Sequence, residues 1–237
     1  MGASISNGLS WVVPKQWKED LIAGNISREM HVEMIMTSLR EKMAMTSDHP
    51  SAYRRLLDIM ATKTVNQGYH RLITTNWDYL LQREVDNWII ANQPGYVPEF
   101  LKPEGMVIHL NGSIEPGKFQ NRSPFLLETD SFEFRKAAVE ANKAFNKLLW
   151  SNLIVIVGMS FECDIDKGLL ATLKLHEDNM PIGSALFVVV DPMEESLERS
   201  IIRLASCFPR ARVSRIQKRM EDWIDGGMPE LSGRIFK

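Results

Sequence analysis

The chain has 237 residues, of which 44% are apolar and 24% charged, and its formal net charge is −2. This length suits one large α/β domain, and the composition is ordinary for a globular protein. The small net charge gives no electrostatic basis for binding nucleic acid or an anionic membrane surface. Two cysteines are too few for a four-cysteine zinc site, and they do not form the pattern of a disulfide-rich secreted domain.

Membrane and secretory signals are not found in the sequence. No apolar run is as long as the ~18 to 20 residues of a membrane-spanning helix. No signal peptide opens the chain. We therefore expect no membrane partner and, by default, a cytoplasmic location.

The opening segment, residues 2–11, contains two glycines and three serines. Such a segment lets phosphate groups approach backbone N–H groups closely. A phosphate loop normally follows a strand, yet the numbering begins at the glycine. Either a first strand lies before residue 1, or the protein lacks one, or the segment is a flexible terminus. Taken alone, the segment favours the flexible terminus.

Residues from about 14 to 65 form a predicted helical insertion. Pro14 is typical of a helix start, Gly24-Asn25 of a helix end, and Ser27 of an N-cap. Several of the 13 methionines lie in this region, and methionine fills gaps in a core or a partner surface. The predicted helices are 14–23, 27–45 and 50–60.

A short strand at residues 72–74 leads into Thr75-Asn76-Trp77-Asp78 and a helix to about Ala91. In an open α/β sheet, ligands bind at the carboxyl ends of strands. Asn or Asp at such a position also caps the following helix. Local chemistry favours neither interpretation over the other.

The rest of the chain alternates between strands and helices. The uninterrupted apolar runs at 153–157 and 185–190 are typical of buried parallel strands. This alternation predicts a parallel sheet with helices on both faces. The other predicted strands are 106–110 and 212–216, and the other predicted helices are 129–149, 164–175, 194–205 and 220–224.

Five motifs in this order resemble the sirtuin superfamily, in particular the bacterial sirtuin-like NAD-hydrolysing domains of anti-phage defence. Thr75-Asn76-Trp77-Asp78 resembles the family's Thr-Asn-Tyr-Asp, and residues 108–114 lie where the family has a strand ending in His-Gly-Ser. The other three matches are Gly2-Ala3-Ser4 with Ser6-Asn7-Gly8-Leu9 for the glycine loop, Gly158-Met159-Ser160-Phe161 with Asp164 for the ribose loop, and Val190-Asp191 for the strand end at the adenosine.

The resemblance covers nearly the whole chain and implies a single domain over 1–237. The fold it implies is Rossmann-like, a doubly wound parallel sheet with helices on both faces and a small helical insertion. The zinc module of the deacetylases is absent from the sequence, which argues against a protein-lysine deacetylase. The implied partners are NAD, further copies of the chain, and a sensor or ATPase protein.

The implied reaction is hydrolysis of the bond between nicotinamide and ribose, with NAD as the substrate and no metal. The resemblance puts Asn76 at the nicotinamide ribose or the attacking water, and Asp78 at the positive centre or a ribose hydroxyl. Helix capping is an equally good interpretation of Asp78. The residues implied to bind the dinucleotide are Gly2, Ala3, Ser4, Gly8, Thr75, Gly158, Ser160 and Asp191.

One position departs from the family pattern. The family's general base is the His before Gly-Ser, and this chain has Asn111 there. An amide accepts no proton at neutral pH. His109 lies two residues upstream on the same strand face, roughly 6.6 to 7 Å away. A structural, hydrogen-bonded His109 is at least as good an interpretation as a His109 that reaches the cleft. Three explanations stay open: His109 acts as the base, the domain binds NAD without turnover, or Asn111 is an introduced substitution that traps an inactive state.

Overall fold

The computed structural model describes residues 13–44, 52–63, 72–92, 107–114 and 125–231. Over these ranges the chain is a mixed α/β protein with parallel sheets of two and three strands. Three of its helices lie between residues 14 and 65, the region predicted to be helical. The predicted parallel pairing of the strands is confirmed, but the strands lie in two small sheets. The single, doubly wound sheet of a Rossmann-like fold stays a prediction.

The two sheets differ in length and burial. In the first, β1 (Ile73–Thr74) pairs in parallel with β2 (Ile108–His109). The second has the order β3 (Leu153–Val157), β4 (Leu186–Val190) and β5 (Arg212–Ile216), all parallel. The central strand β4 is buried over its last four residues, because a parallel strand between two neighbours is covered on both faces.

The helices follow the predicted order, with one exception. Among the helices of the described ranges, none is long and apolar enough to cross a membrane. The α-helices are α1 (Lys15–Ile22), α2 (Arg28–Ala44), α3 (Ala52–Lys63), α4 (Leu80–Asn92), α5 (Phe132–Glu140), α6 (Lys143–Leu149), α7 (Asp164–Lys174), α8 (Glu194–Cys207) and α9 (Met220–Asp225), and short 3-10 turns lie at Glu177–Asn179, Pro181–Ser184 and Pro229–Leu231.

The exception is the single helix predicted for 129–149, which is wrong because the structure has two helices there. The break lies at Asn142, whose N–H donates to the Val139 carbonyl and whose carbonyl accepts from Phe145 N–H, each at 3.0 Å. In an unbroken helix, positions six apart differ in direction by roughly 120°. The turn lets Val139 and Phe145 enter the same core.

One apolar core joins the two sheets. It contains Ile108 and Leu110 from the first sheet and its loop, Phe187 and Val189 from β4, and Leu169 from α7. A second cluster packs α2 against the carboxyl end of the first sheet, through Ile35, Leu39, Leu80 and Ile114. Burial of these side chains therefore fixes the ends of β1 and β2 between α2 and the larger sheet.

The start of α2 is held by an ion pair with two hydrogen bonds. Arg28 donates from Nε to Asp130 Oδ1 at 2.7 Å and from Nη2 to Oδ2 at 2.9 Å. The Asp130 side chain is nearly buried, so this paired geometry is shielded from water. Ser27 caps the helix, since its Oγ accepts from Met30 N–H at 3.2 Å, which confirms the predicted N-cap.

Candidate functional site

The residues that follow β1 and β2 lie side by side. Thr74 pairs with His109, and the N–H of Leu110 donates to the Thr74 carbonyl at 2.9 Å. Beyond the strands, Ile114 N–H donates to the Trp77 carbonyl at 3.0 Å. The two loops therefore run together from the strand ends, because parallel strands end at the same edge of a sheet.

Two side chains, one in β2 and one in the loop after it, contact consecutive backbone carbonyls of the loop after β1. Asn111 Nδ2 donates to the Thr75 carbonyl at 2.9 Å. The Nδ1 atom of His109 lies 3.3 Å from the Asn76 carbonyl. Because a carbonyl only accepts, the hydrogen-bonded ring carries its proton on Nδ1, and Nε2 is then the acceptor of a neutral imidazole. These contacts fix the backbone of Thr75 and Asn76.

The Asn76 side chain differs from that of Asn111. Asn76 is half-buried, and its amide makes no hydrogen bond to the described residues, while its backbone N–H donates to Thr74 Oγ1 at 3.1 Å. Asn111 is buried, with Nδ2 engaged and Oδ1 without a partner in the described ranges. Of these two residues, only Asn76 is reachable from solvent, and the hydrogen bonds of its backbone fix its position.

His109 is neutral in this environment. It is 2% exposed, and burial lowers its pKa to about 4, while the bond to the Asn76 carbonyl opposes the change. Desolvation disfavours the imidazolium because burial removes the water that would solvate its charge. At neutral pH the ring is therefore a hydrogen-bond acceptor at Nε2 and only a weak base.

Asp78 caps a helix. Its Oδ1 accepts from Leu80 N–H at 3.0 Å, at the first residue of α4. Burial raises the pKa of the Asp78 carboxyl, and the bond from Leu80 opposes this. The contact that the structure describes for this carboxylate is the one expected of a cap. It does not test the role at a ribose that the resemblance implies.

In the loop after β3, residues 158–163, two residues have backbone angles in the left-handed region. Gly158 has φ 62°, which glycine adopts easily, but Phe161 has φ 55° and is buried. A non-glycine residue in this conformation costs about 1 to 3 kcal/mol and persists where the surroundings hold it. Ser200 of α8 contributes to this, since its Oγ donates to the Met159 carbonyl at 2.6 Å. Ser160 lies half-buried in the same loop.

Asp191 follows β4 and holds the start of α8. Its Oδ1 accepts from Met193 N–H and its Oδ2 from Ser196 Oγ, each at 2.8 Å. The residue is buried. Each oxygen therefore already accepts one hydrogen bond, which leaves only further lone pairs for a ribose hydroxyl.

The two regions are joined through apolar contacts. Trp77 and Met159 both pack against the core that holds Ile108, Leu110 and Phe161. Trp77 also stacks on Phe125 with ring centroids 4.8 Å apart. The loops after β1, β2 and β3 thus pack on one apolar core, although within the described residues Asn76 makes no hydrogen bond to the loop after β3.

Some predicted residues lie outside the described ranges. These are the glycine-loop positions Gly2, Ala3, Ser4 and Gly8. In the ranges that are described, no three residues among His, Cys, Asp and Glu are arranged to hold a metal ion.

Two contributors to the site were not singled out from the sequence. Ser200 lies on the buried face of α8 between Leu197 and Leu204, and a polar residue in an apolar stripe is a signal that predicts such a bond. Arg40 of α2 donates from Nη2 to the Ile114 carbonyl at 2.7 Å. No sequence pattern indicates that second contact, because its partner is 74 residues away.

Comparisons of the chain with protein-family models, with curated proteins and with solved structures give no significant match.

Proposed function

We propose that the chain is a Rossmann-like NAD-binding domain that hydrolyses the bond between nicotinamide and ribose. The observation that supports this is the meeting of two separate motifs at one sheet edge. Asn76 follows β1 and His109 lies in β2, yet His109 Nδ1 lies 3.3 Å from the Asn76 carbonyl. Asn111, which follows β2, donates to the Thr75 carbonyl. The carboxyl ends of strands are where open α/β sheets bind ligands.

The reaction consumes NAD and water and yields nicotinamide, ADP-ribose and a proton. As the carbon–nitrogen bond breaks, nicotinamide leaves as a neutral molecule and positive charge develops on carbon 1 of the ribose. Water then adds to that carbon. The half-buried amide of Asn76 suits this step, because it accepts from water or a ribose hydroxyl and donates without any change of charge.

The imidazole beside Asn76 in the described ranges is poorly suited to accept a proton from the attacking water, because its Nε2 atom is buried. His109 is neutral at pH 7, but its pKa of about 4 makes it a poor base. Losing a well-matched general base typically costs ~100- to 10,000-fold in rate. We therefore propose slow hydrolysis in this chain, with Asn76 orienting the reactants and His109 as the only imidazole at the described strand ends.

The remaining assignments extend the same proposal. The glycine loop with Ser4 and Gly8 holds the pyrophosphate, Asp78 supports the ribose side, and Gly158, Ser160 and Asp191 face the adenosine. The biological role is depletion of cytoplasmic NAD in anti-phage defence. Further copies of the chain, or a sensor or ATPase protein, switch the activity on.

Nicotinamide release from purified protein and NAD, followed by chromatography, tests the reaction. We expect slow release that Asn76→Ala abolishes. Asn87→Ala is the matched control, because Asn87 is an exposed amide on α4. Equal release by wild type and Asn76→Ala overturns the role of Asn76. No release at any protein concentration, together with no NAD binding by calorimetry, overturns the function.

A second candidate function is an NAD or ADP-ribose binding subunit without turnover. It is favoured by one observation: the residue at the expected base position is a buried amide that already donates to the Thr75 carbonyl. In this case calorimetry shows NAD binding with no product. Asn111→His then distinguishes a fold that lacks only its base, which gains nicotinamide release, from a site used for binding alone, which does not.

A further inference from the structure

The two segments to which the proposed function assigns the adenosine are adjacent in the structure. One is the loop after β3, residues 158–163, and the other is Asp191 after β4. The N–H of Gly158 donates to the carbonyl of Val190 at 3.0 Å, one residue before Asp191. Because β3 and β4 are parallel, both segments leave the same edge of the larger sheet. A helix that contacts both segments can therefore set their positions together.

Two serines of α8 make these contacts. Ser196 Oγ donates to Asp191 Oδ2 at 2.8 Å. One turn further along the helix, Ser200 Oγ lies 2.6 Å from the Met159 carbonyl and 2.9 Å from the Ser196 carbonyl. Ser200 is fully buried, so water does not compete for its hydroxyl proton. The bond to Met159 is the buried contact that joins α8 to the loop after β3.

The other end of the loop is also held by α8. Glu162 Oε1 accepts from Arg203 Nη2 at 2.7 Å and lies 3.5 Å from Arg199 Nε. These side chains are partly exposed, so the ion pairs are screened by water and contribute little. The bond from Ser200, near the start of the loop, is therefore the stronger of the two attachments.

The residues between these attachments have to be held in place. Phe161 is buried with φ 55°, a left-handed conformation that costs free energy for a residue with a side chain. Such a conformation persists only where neighbouring contacts impose it. Ser160, the residue before, is half-buried, and its hydroxyl makes no hydrogen bond to the described residues. The loop thus holds a polar group that is available to a ligand.

We propose that Ser200 is a positioning residue for the adenosine side of NAD. Its hydroxyl holds the Met159 carbonyl, and this keeps the neighbouring Ser160 hydroxyl where it bonds to a ribose hydroxyl. Ser200 does not touch the nucleotide itself, because it is fully buried. The inference rests on the proposed function, and it assigns to Ser200 an effect on nucleotide affinity and none on the cleavage step.

Titration calorimetry with ADP-ribose tests this role. Ser200→Ala is expected to weaken binding about threefold to tenfold, because the loop loses a hydrogen bond that holds it. The matched control is Thr172→Val, which removes a buried hydroxyl that donates to the Gly168 carbonyl at 2.8 Å, within α7. We expect this control to bind ADP-ribose as the wild type does. Equal binding by wild type and Ser200→Ala, or equal losses in the two variants, overturns the inference.

The same measurement separates this inference from the proposed function. A wild type that binds no ADP-ribose overturns both. A wild type that binds it, with the same affinity in Ser200→Ala, overturns only the role of Ser200. In the assay of nicotinamide release, Ser200→Ala is expected to raise KM for NAD by the factor seen in binding and to leave kcat within about twofold. A lower kcat at an unchanged KM contradicts a positioning role.

Hydrogen exchange of the backbone N–H groups examines the loop itself and, in the wild type, does not depend on a variant folding. We expect ADP-ribose to slow exchange in residues 158–163 of the wild type. Without ligand, Ser200→Ala is expected to exchange faster than the wild type in 158–163 and equally in 73–80, the segment that holds the end of β1. Protection by ADP-ribose that leaves 158–163 unchanged, or equal acceleration at 73–80 in Ser200→Ala, overturns the inference.

Discussion

Asn111 donates from Nδ2 to the carbonyl oxygen of Thr75 at 2.9 Å, which joins the end of β2 to the end of β1. A neutral histidine at this position can make the same donation from one ring nitrogen and keep the other as a base. Asparagine keeps the donation, but its second polar atom is an amide oxygen with no useful basicity. Asn111 therefore joins the two strand ends through a contact that an imidazole could also make, but it provides no base.

Replacing Asn111 with leucine is expected to destabilise the fold. The change removes the donor and leaves the carbonyl of the half-buried Thr75 with one hydrogen bond fewer, a loss of about 1 kcal/mol. Urea unfolding followed by far-UV circular dichroism measures it. The control is Asn87→Leu on the exposed side of α4, where we expect a change within about 0.5 kcal/mol. Equal values for the two variants contradict the contact.

Folding stability is expected to depend on the protonation of His109. Burial lowers the pKa of folded His109 to about 4, from the usual 6.5. As the pH falls below about 6.5, the unfolded chain binds the proton first, so the free energy of unfolding decreases down to about pH 4. The two pKa values correspond to a loss of about 2 kcal/mol between pH 7 and pH 5.

The comparison with His109→Gln isolates this contribution. His31 is also buried, and its pKa is lowered chiefly by burial, so the wild type has a second group that acts in the same direction. The difference in slope between wild type and His109→Gln, from urea unfolding at several pH values, is therefore the measured quantity. Parallel pH profiles contradict the buried neutral imidazole.

Asp191→Ala is expected to destabilise the chain by about 1 to 2 kcal/mol. The alanine accepts neither the Met193 N–H nor the Ser196 hydroxyl, so the start of α8 loses two bonds. Thermal unfolding measures the effect. Asp178→Ala serves as the control, because Asp178 is strongly exposed and makes only a surface ion pair. A null effect at Asp191 contradicts its role at the helix start.

Two glycines are expected to respond oppositely to alanine. A Cβ on Gly183 lies 2.2 Å from the Glu177 carbonyl oxygen, so Gly183→Ala forces the backbone apart and costs about 1 to 3 kcal/mol. A Cβ on Gly168, inside α7, has its nearest neighbour at 3.5 Å, an ordinary contact with Arg135. Gly168→Ala is expected to leave stability unchanged or raise it by up to about 1 kcal/mol. Equal losses in chemical unfolding contradict the close approach at Gly183.

Strong local patterns predicted the elements with the clearest physical signal. The bounds of β3 and β5 agree with the sequence prediction, and β4 begins one residue later than predicted. An uninterrupted β-branched run such as 153–157 has few alternatives to a buried parallel strand. The helix over 129–149 was predicted as one because helical spacing continues through Asn142. The turn at Asn142 became evident only in the structure, where it lets Val139 and Phe145 pack into the same core.

The residue types of the candidate site were readable from the sequence, but their contacts were not. Asn76, His109 and Asn111 were all singled out from the sequence. The structure shows that His109 and Asn111 contact the backbone carbonyls of Asn76 and Thr75. A side chain's partner across paired strands is decided by register, and register depends on packing over the whole core. Sequence alone thus determined which polar groups stand at the strand ends. The tertiary structure decided that the Asn111 side chain bonds to Thr75 while Asn76 remains half-exposed, because only the folded core brings residues 33 to 36 positions apart to one sheet edge.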